Sequence, residues 1–440
     1  MKSYFVRTFG CQMNKHDSER IAGLLEQRGL TRADAPESAD VIVFNTCCVR
    51  ETADERLYGQ VSSLKALKTG GRPDVIIAVG GCVGQRDGAE VLRHVPHVDV
   101  VFGTHNIHEL PSLLDAAEQG RSAVSVLEGG DRFASDLPSV RDTAWHAWVS
   151  ITVGCDNHCA YCIVPTVRGP ERSRSLEVVV AEVVSLVADG VVEVTLLGQN
   201  VNSFGRDRYG APRFAELLRA VASTGVERIR FATSHPKDLS DDTIAAMAEI
   251  PSIMPYLHLP VQHGSNRILA AMNRRYTREQ YLARIEALRA AIPGITLSTD
   301  IIVGFPGETE DDFAETLDLV RRVGFDHAFT FIYSRREGTP AAALVDTVPR
   351  DVAQERFDRL AVLVRDLAYA SNEREVGAVR SCLIEGPSRR DPAVLAARTP
   401  HNKLVHLPVA AGTRAADVAG SLQDVAITAA HPWFLTGEFA

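Results

Sequence analysis

Cys155, Cys159 and Cys162 stand in the run Gly154-Cys155-Asp156-Asn157-His158-Cys159-Ala160-Tyr161-Cys162, spaced C-x3-C-x2-C, with no fourth cysteine nearby. Thiolates are soft ligands that select iron–sulfur clusters, zinc or copper(I). A structural zinc site asks for four ligands; this run supplies three. A cube of four irons held by three thiolates keeps one iron free of protein. That open iron can take a small molecule and pass it an electron. An incomplete zinc site, or three unrelated core cysteines, would leave the same letters in the sequence.

Three further cysteines, Cys11, Cys47 and Cys82, lie far apart, yet each follows a short apolar run. Their contexts are Thr8-Phe9-Gly10-Cys11, Phe44-Asn45-Thr46-Cys47 and Val79-Gly80-Gly81-Cys82. If the runs are parallel strands, their ends share one sheet edge and the thiolates converge there. Gly10, Gly80 and Gly81 would let the backbone turn tightly beside a bulky group. This pattern proposes a second three-thiolate site, although free cysteines buried in a core would read the same way. Cys48 adjoins Cys47 but should point elsewhere, and Cys382 sits inside an apolar run as packing.

The elements that must position these residues form three groups. Apolar runs at 4–9, 41–45, 75–80 and 98–102 alternate with helical patterns, one of them carrying Ile21, Leu24 and Leu25 on a single face. Alternating βα units predict a doubly wound parallel sheet over residues 1–118. Residues 119–146, rich in Gly, Ser, Asp and Pro, read as a linker. A second βα series runs over 147–375, with strands at 148–153, 192–197, 228–232, 256–259, 297–303 and 327–332. Helical stretches such as 181–188, 279–290 and 311–323 separate them. Six such units predict an incomplete (β/α) barrel whose chemistry lies on the loops after the strand ends, where Cys155 to Cys162 fall. From 376 to 440, β-prone runs at 379–383, 403–407 and 425–429 predict a small β-barrel. It is nearly neutral, with six basic and five acidic side chains.

The chain's 440 residues exceed one ordinary core, and its 45% hydrophobic and 23% charged content is that of a globular protein. No apolar run approaches the length of a membrane helix. The start, MKSYFVRTFGCQMN, has no secretory pattern. A cytoplasmic location without membrane attachment is therefore expected, and eight cysteines in a reducing compartment point to metal or catalysis rather than disulfides. A net charge of −9 gives no overall basic field for nucleic acid. Local groups exist, however: Arg168, Arg172 and Arg174; Arg267, Arg274, Arg275 and Arg278; Arg335 and Arg336. Each alone reads as a solvated face, but all fall on loops of one barrel mouth.

The C-x3-C-x2-C run resembles the signature of the radical S-adenosylmethionine superfamily. The order Cys11, Cys47, Cys82, then the triple motif and a terminal β-domain, resembles the methylthiotransferase family within it, in its tRNA-modifying branch. The resemblance covers nearly the whole chain. It is carried by Thr8-Phe9-Gly10-Cys11-Gln12-Met13-Asn14, Asn45-Thr46-Cys47-Cys48-Val49-Arg50, Leu196-Leu197-Gly198-Gln199-Asn200-Val201, Thr233-Ser234-His235-Pro236, Leu259-Pro260-Val261-Gln262 and the stretch from Thr299 to Thr309.

The resemblance implies an N-terminal methylthiotransferase domain, a radical barrel, a C-terminal TRAM domain and an enzyme with two [4Fe-4S] clusters. One cluster, on Cys155, Cys159 and Cys162, would cleave S-adenosylmethionine to a radical that takes hydrogen from the adenine 2-carbon. The other, on Cys11, Cys47 and Cys82, would deliver methylated sulfur. The implied substrate is N6-isopentenyladenosine beside the anticodon of tRNA. Threonylcarbamoyl-adenosine in tRNA and an aspartate of a ribosomal protein are the alternatives within the family, and a non-catalytic iron–sulfur or zinc RNA-binding protein is the alternative outside it. The implied partners are a tRNA anticodon stem-loop, whose target base must leave its stack, and an electron donor such as flavodoxin or ferredoxin. A monomer is implied.

Tyr161 either stacks near the adenine of S-adenosylmethionine or packs beside the cluster. Gln199, Asn200 and Asp300, at strand ends, are candidates for its ribose or methionine part, or cap loops. Asn14, Asp17 and Glu19 read as capping and first-turn charge of a helix. Two positions depart from the family, which usually has serine at Cys48 and at His263, and the TRAM region is poorly matched.

Overall fold

The computed structural model describes residues 1–440 except 49–50, 131, 346 and 410–413, together with the side chains of 51–55 and 416. Residues 49 and 50 of the second cysteine motif thus lie outside the described residues.

Six parallel strands form the first sheet, in the order Thr31–Arg32, Ser3–Thr8, Val41–Thr46, Ile76–Gly80, Val100–Phe102, Ala123–Ser125. The central strands Val41–Thr46 and Ile76–Gly80 are buried at every residue, as strands covered on both faces must be. One face carries Ile42, Phe44, Ile77 and Val79 against Leu57 and Val83; the other carries Val41, Val43 and Ala78 against Ile21 and Leu25 of helix Gln12–Gln27. The doubly wound prediction therefore holds. The sequence between the sheet and the barrel is less loose than its composition reads, because Ala123–Ser125 adds a strand beside Val100–Phe102.

The barrel is built of two parallel three-stranded sheets: Arg228–Phe231, Glu193–Leu197 and His146–Ser150; then Tyr256–His258, Thr296–Val303 and His327–Ile332. A single bridge from Ile229 to Ile253 joins them. One apolar core runs through all six strands and their helices. Helix Arg350–Glu373 adds Leu360 and Val364 to that core.

The last five strands, Val379–Pro387, Val394–Arg398, Leu404–Pro408, Leu422–Ala430 and Leu435–Phe439, close a small barrel around Cys382, Leu395, Val405 and Val425. Three of the five are foreseen by the β-prone runs. The other two are short and interrupted by charge or glycine. The small barrel is docked by buried cations: Arg228 donates to the Ser381 carbonyl at 2.7 Å and Arg230 to the Thr399 carbonyl at 2.9 Å. Lys403 donates to Ser371 at 2.7 Å. Of these three cations only Lys403 belongs to the small barrel.

Candidate active site

Cys11, Cys47 and Cys82 stand directly after three neighbouring strands of the first sheet. Gly10 adopts φ 123°, open to glycine, and a Cβ there would overlap Cys47. The close approach of the two cysteine loops is therefore written into Gly10. Gly81, at φ 81°, lies against Asn45 and Thr46 in the same way. Asn14 ties the loops together: its Oδ1 accepts from the Cys11 thiol at 3.3 Å, and its Nδ2 donates to the Thr46 carbonyl at 3.1 Å. Asn45 returns a bond to the Asn14 carbonyl at 2.8 Å.

The electrostatics favour thiolate here. A hydrogen bond from Cys47 brings the Cys11 thiol down to about 6. A bond from Cys48 brings the Cys82 thiol down to about 7, with Arg168 adding to the effect in both. Arg168 is buried and pairs with buried Asp17 at 2.9 Å. Burial pushes the Asp17 carboxyl up, but Arg168 and His16 together more than offset it, and the group is held below its ordinary value. Asp17 and Asn14 are thus not the capping residues expected from their place in the helix. Helix Gln12–Gln27 has Cys11 as its N-cap, no side-chain cap and no acid in its first turn. Glu19 faces inward as well, where burial raises its carboxyl to about 7. Cys382 packs inside the small barrel, as read, whereas Cys48, expected to point elsewhere, lies in the apolar core bonded to Cys82.

Cys155, Cys159 and Cys162 follow the first barrel strand, after the short strand Thr152–Val153. The loop is pinned from three sides. Ala160 donates to the Met272 carbonyl at 2.9 Å and Ala341 to the Ala160 carbonyl at 2.8 Å, while Asn273 donates to the His158 carbonyl at 2.6 Å. Burial raises the Cys155 thiol to about 11 and the Cys162 thiol to about 12. The helix Val164–Arg168 leaves this loop and sinks Ile163 and Val167 into the core that holds Cys48 and Cys82. One short helix thus connects the barrel cysteine loop to the core beside the sheet-edge cysteines.

Among the described residues no three His, Cys, Asp or Glu side chains converge on a single ion. A cube binds each thiolate through a different iron, so its ligands need not. The donor chemistry, three cysteines and no carboxylate or imidazole in either set, fits iron–sulfur clusters. A polar ligand is also accommodated beside the barrel loop. Thr152 Oγ1, Asn200 Oδ1, Asn202 Nδ2 and Ser234 Oγ are buried without hydrogen-bond partners at the ends of the first three barrel strands. Groups like these demand a partner, and the amino, carboxylate and ribose groups of S-adenosylmethionine would provide one. Thr233 and Gln262, at the same rim, hold left-handed backbone at φ 69° and 70°, the kind of strain that gathers at functional sites.

The four sequence candidates for this ligand separate. Asn200 belongs to the unpartnered set, its Nδ2 fixed on Asp238 at 2.7 Å and its Oδ1 left over. Gln199 is half-buried beside it. Asp300 sits in the barrel interior, 3.5 Å from His258 Nε2. Tyr161 is half-buried and packs with Ile268 and Phe305, its hydroxyl 3.5 Å from Arg274. Thr152, Asn202 and Ser234 were missed, although Asn202 and Ser234 lie in or beside quoted motifs. His263 is fully buried between Thr316 and Glu308, bracing the loop after Val303 rather than facing the site.

The basic groups are mostly committed elsewhere. Arg174 pairs with Glu182, Arg267 with Asp312 and Arg278 with Asp318. Arg172 lies over the Phe133 ring. Arg274 is buried at the cysteine loop. Arg275 and Arg335 are exposed.

Residues 149–320 match the model of the radical SAM superfamily, and residues 3–103 match the uncharacterized protein family UPF0004. A protein of Acidothermus cellulolyticus named tRNA-2-methylthio-N(6)-dimethylallyladenosine synthase is 53% identical over 99% of this chain and 88% of its own. One of Streptomyces coelicolor with the same name is 52% identical over 92% and 81%, and one of Salinispora arenicola is 51% identical over 99% and 88%. Among solved structures, the radical S-adenosylmethionine methyltransferase TsrM of Kitasatospora setae, with cobalamin and a [4Fe-4S] cluster bound, shares the fold. It has a TM-score of 0.56 at 15% identity, over 78% of this chain and 77% of that one.

Proposed function

The chain belongs to the tRNA-2-methylthio-N(6)-dimethylallyladenosine synthase family, and from that premise we propose that it adds a methylthio group to the adenine 2-carbon of N6-isopentenyladenosine beside the anticodon of tRNA. We assign Cys155, Cys159 and Cys162 to one [4Fe-4S] cluster and Cys11, Cys47 and Cys82 to a second. Asn200, with Gln199, Asp300 and Tyr161 and with Thr152, Asn202 and Ser234 completing the set, would hold S-adenosylmethionine. When bound, the clusters and S-adenosylmethionine supply an electron, a carbon radical and methylated sulfur.

The chain's own residues do the placing. Gly10 and Asn14 gather the sheet-edge thiols, and Arg168 with Asp17 holds that edge against the barrel loop. The short helix Val164–Arg168, packed in the core beside Cys82, would hold the barrel loop and the sheet edge in a fixed relation, so that one base could be presented to both. The observation that carries the reading is that the helix leaving the C-x3-C-x2-C loop buries Ile163 and Val167 in the core that holds Cys82. Reduction by a flavodoxin- or ferredoxin-like donor, a monomeric enzyme and a cytoplasmic location complete the proposal. Among the described residues no helix is long and apolar enough to cross a membrane.

Mass analysis of tRNA nucleosides from cells with and without the gene tests the function. Loss of the methylthio nucleoside with accumulation of N6-isopentenyladenosine is expected. Unchanged nucleosides, with purified protein modifying only threonylcarbamoyl-adenosine or a ribosomal protein, would overturn the substrate assignment.

A further inference from the structure

We infer that Arg274 sets the reduction potential of the barrel cysteine site, acting as a positioning residue that holds a fixed positive charge against the Cys159 sulfur. The inference rests on the reading that Cys155, Cys159 and Cys162 hold a cluster.

Arg274 is buried, 4% exposed, at the turn after helix Asn266–Ala271. Its neighbours Asn273 and Arg275 both adopt left-handed backbone at φ 56°. Such geometry is strained for a residue like arginine, and it turns the side chain of Arg274 inward while Arg275 remains exposed. The same turn is stitched to the cysteine loop at consecutive residues: Asn273 binds the His158 carbonyl and Met272 accepts from Ala160. The guanidinium is therefore placed by backbone, not by chance of rotamer.

Each of its three nitrogens is directed. Nη1 donates to Cys159 Sγ at 3.3 Å, Nη2 to the Pro260 carbonyl at 3.0 Å, and Nε to the Tyr276 hydroxyl at 3.0 Å. Tyr276 passes a bond on to the Val261 carbonyl at 2.7 Å. No carboxylate pairs with Arg274 among the described residues; the groups facing it are the thiol of Cys159 and the phenols of Tyr161 and Tyr276. Guanidinium does not give up its proton in a protein, and a buried charge without a counter-ion is costly. The compensating negative charge must then come from the site itself. A thiolate-bound cluster supplies it, and an added electron supplies more. Charge near a cluster and hydrogen bonds to its sulfurs are the levers that set its potential, and a fixed cation favours the reduced form.

The test is a redox titration followed by electron paramagnetic resonance on anaerobically reconstituted full-length protein, without S-adenosylmethionine. A Cys47→Ala background confines the signal to the barrel site. At the poise where the background protein is half reduced, Arg274→Gln should lower the reduced-to-oxidised ratio at least tenfold, or 59 mV for one electron. Arg274→Lys, which keeps the charge, should stay within threefold of the background. Equal potentials in the background and Arg274→Gln overturn the inference. If Arg274→Gln retains no cluster, Arg274→Lys decides: parental potential supports the inference and a tenfold shift overturns it. Loss of iron from both variants, with folding intact by circular dichroism, makes Arg274 a packing residue and also overturns it. A background protein that binds no iron would instead sink the cluster assignment on which the inference stands.

Discussion

At the barrel, the three cysteines come from one loop, and their spacing alone brings them together. At the sheet edge, they come from three strands, and only the order of those strands brings them together. The chemistry differs in step. At the barrel, burial pushes the Cys155 and Cys162 thiols up to about 11 and 12. The sheet-edge thiols Cys11 and Cys82 are brought down to about 6 and 7 by neighbouring thiols and by Arg168. Each site has its own buried arginine. Arg168 carries a carboxylate counter-ion, Asp17, while Arg274 carries none. One site is thus prepared for negative charge before any cluster arrives, and the other is completed by it.

The sharpest way to break the comparison is to remove one thiol from each site. Cys155→Ala should abolish both cleavage of S-adenosylmethionine and methylthiolation. Cys47→Ala should spare the cleavage and abolish methylthiolation. Each variant should fall from about eight irons per chain to about four, since each four-iron cube is lost as a unit. Product from Cys47→Ala in vitro would remove the sheet edge from the sulfur chemistry.

The next effect is on folding. Arg168→Met leaves the Asp17 carboxylate buried with only His16 beside it, which costs about 3–5 kcal/mol. The urea midpoint of the cluster-free protein should drop accordingly, and adding Asp17→Asn should restore most of the loss. Arg274→Gln should cost less, because it leaves no carboxylate behind. A larger loss at Arg274 than at Arg168 would show that the two arginines are not distinguished by their counter-ions.

Reactivity of the cluster-free protein gives a third and smaller contrast. With Cys11 near 6 and Cys155 near 11, the thiolate fraction at pH 7 favours Cys11 steeply. The lower nucleophilicity of the more acidic thiolate returns part of that advantage. A net 10–100-fold faster alkylation of Cys11 by iodoacetamide is expected, on the order set by a Brønsted slope near one half. The Cys11 rate should level off above pH 7, and the Cys155 rate should keep rising to pH 10. Equal rates and parallel pH profiles, read by peptide mass analysis, would mean that the sheet edge is not prepared for charge.

Legibility followed the same division. The barrel loop could be read directly, because C-x3-C-x2-C is a local spacing. The sheet-edge trio was legible only through the period of the strands and the glycines at their ends, since three distant cysteines mean nothing without a parallel sheet. The residues that tune the sites were not legible. Asn14 and Asp17 occupy helix-start positions that read as capping, and Arg168 and Arg274 read as surface cations, because sequence does not tell which side of a turn a long side chain takes. Ser234 lies in a family motif and Asn202 beside one, but that the atoms of Thr152, Asn202 and Ser234 are unpartnered is a property of packing that sequence does not carry.

Cys48 offers the finest test of how the sheet edge is built. It is the one thiol there that the comparison leaves out, fully buried among Leu57, Val83 and Val167 yet bonded to Cys82. Cys48→Ser keeps a donor for the Cys82 thiolate and places a small hydroxyl in apolar surroundings. The gain from a stronger hydrogen bond and the cost of burying a polar group are each about 1 kcal/mol and oppose each other. The urea midpoint should therefore move little and the iron content should stay near eight. If Cys48 were instead a cluster ligand, the substitution would behave like Cys47→Ala and take about four irons with it. The sheet edge would then hold four thiolates, and its cluster would lack the open iron that the sulfur chemistry requires.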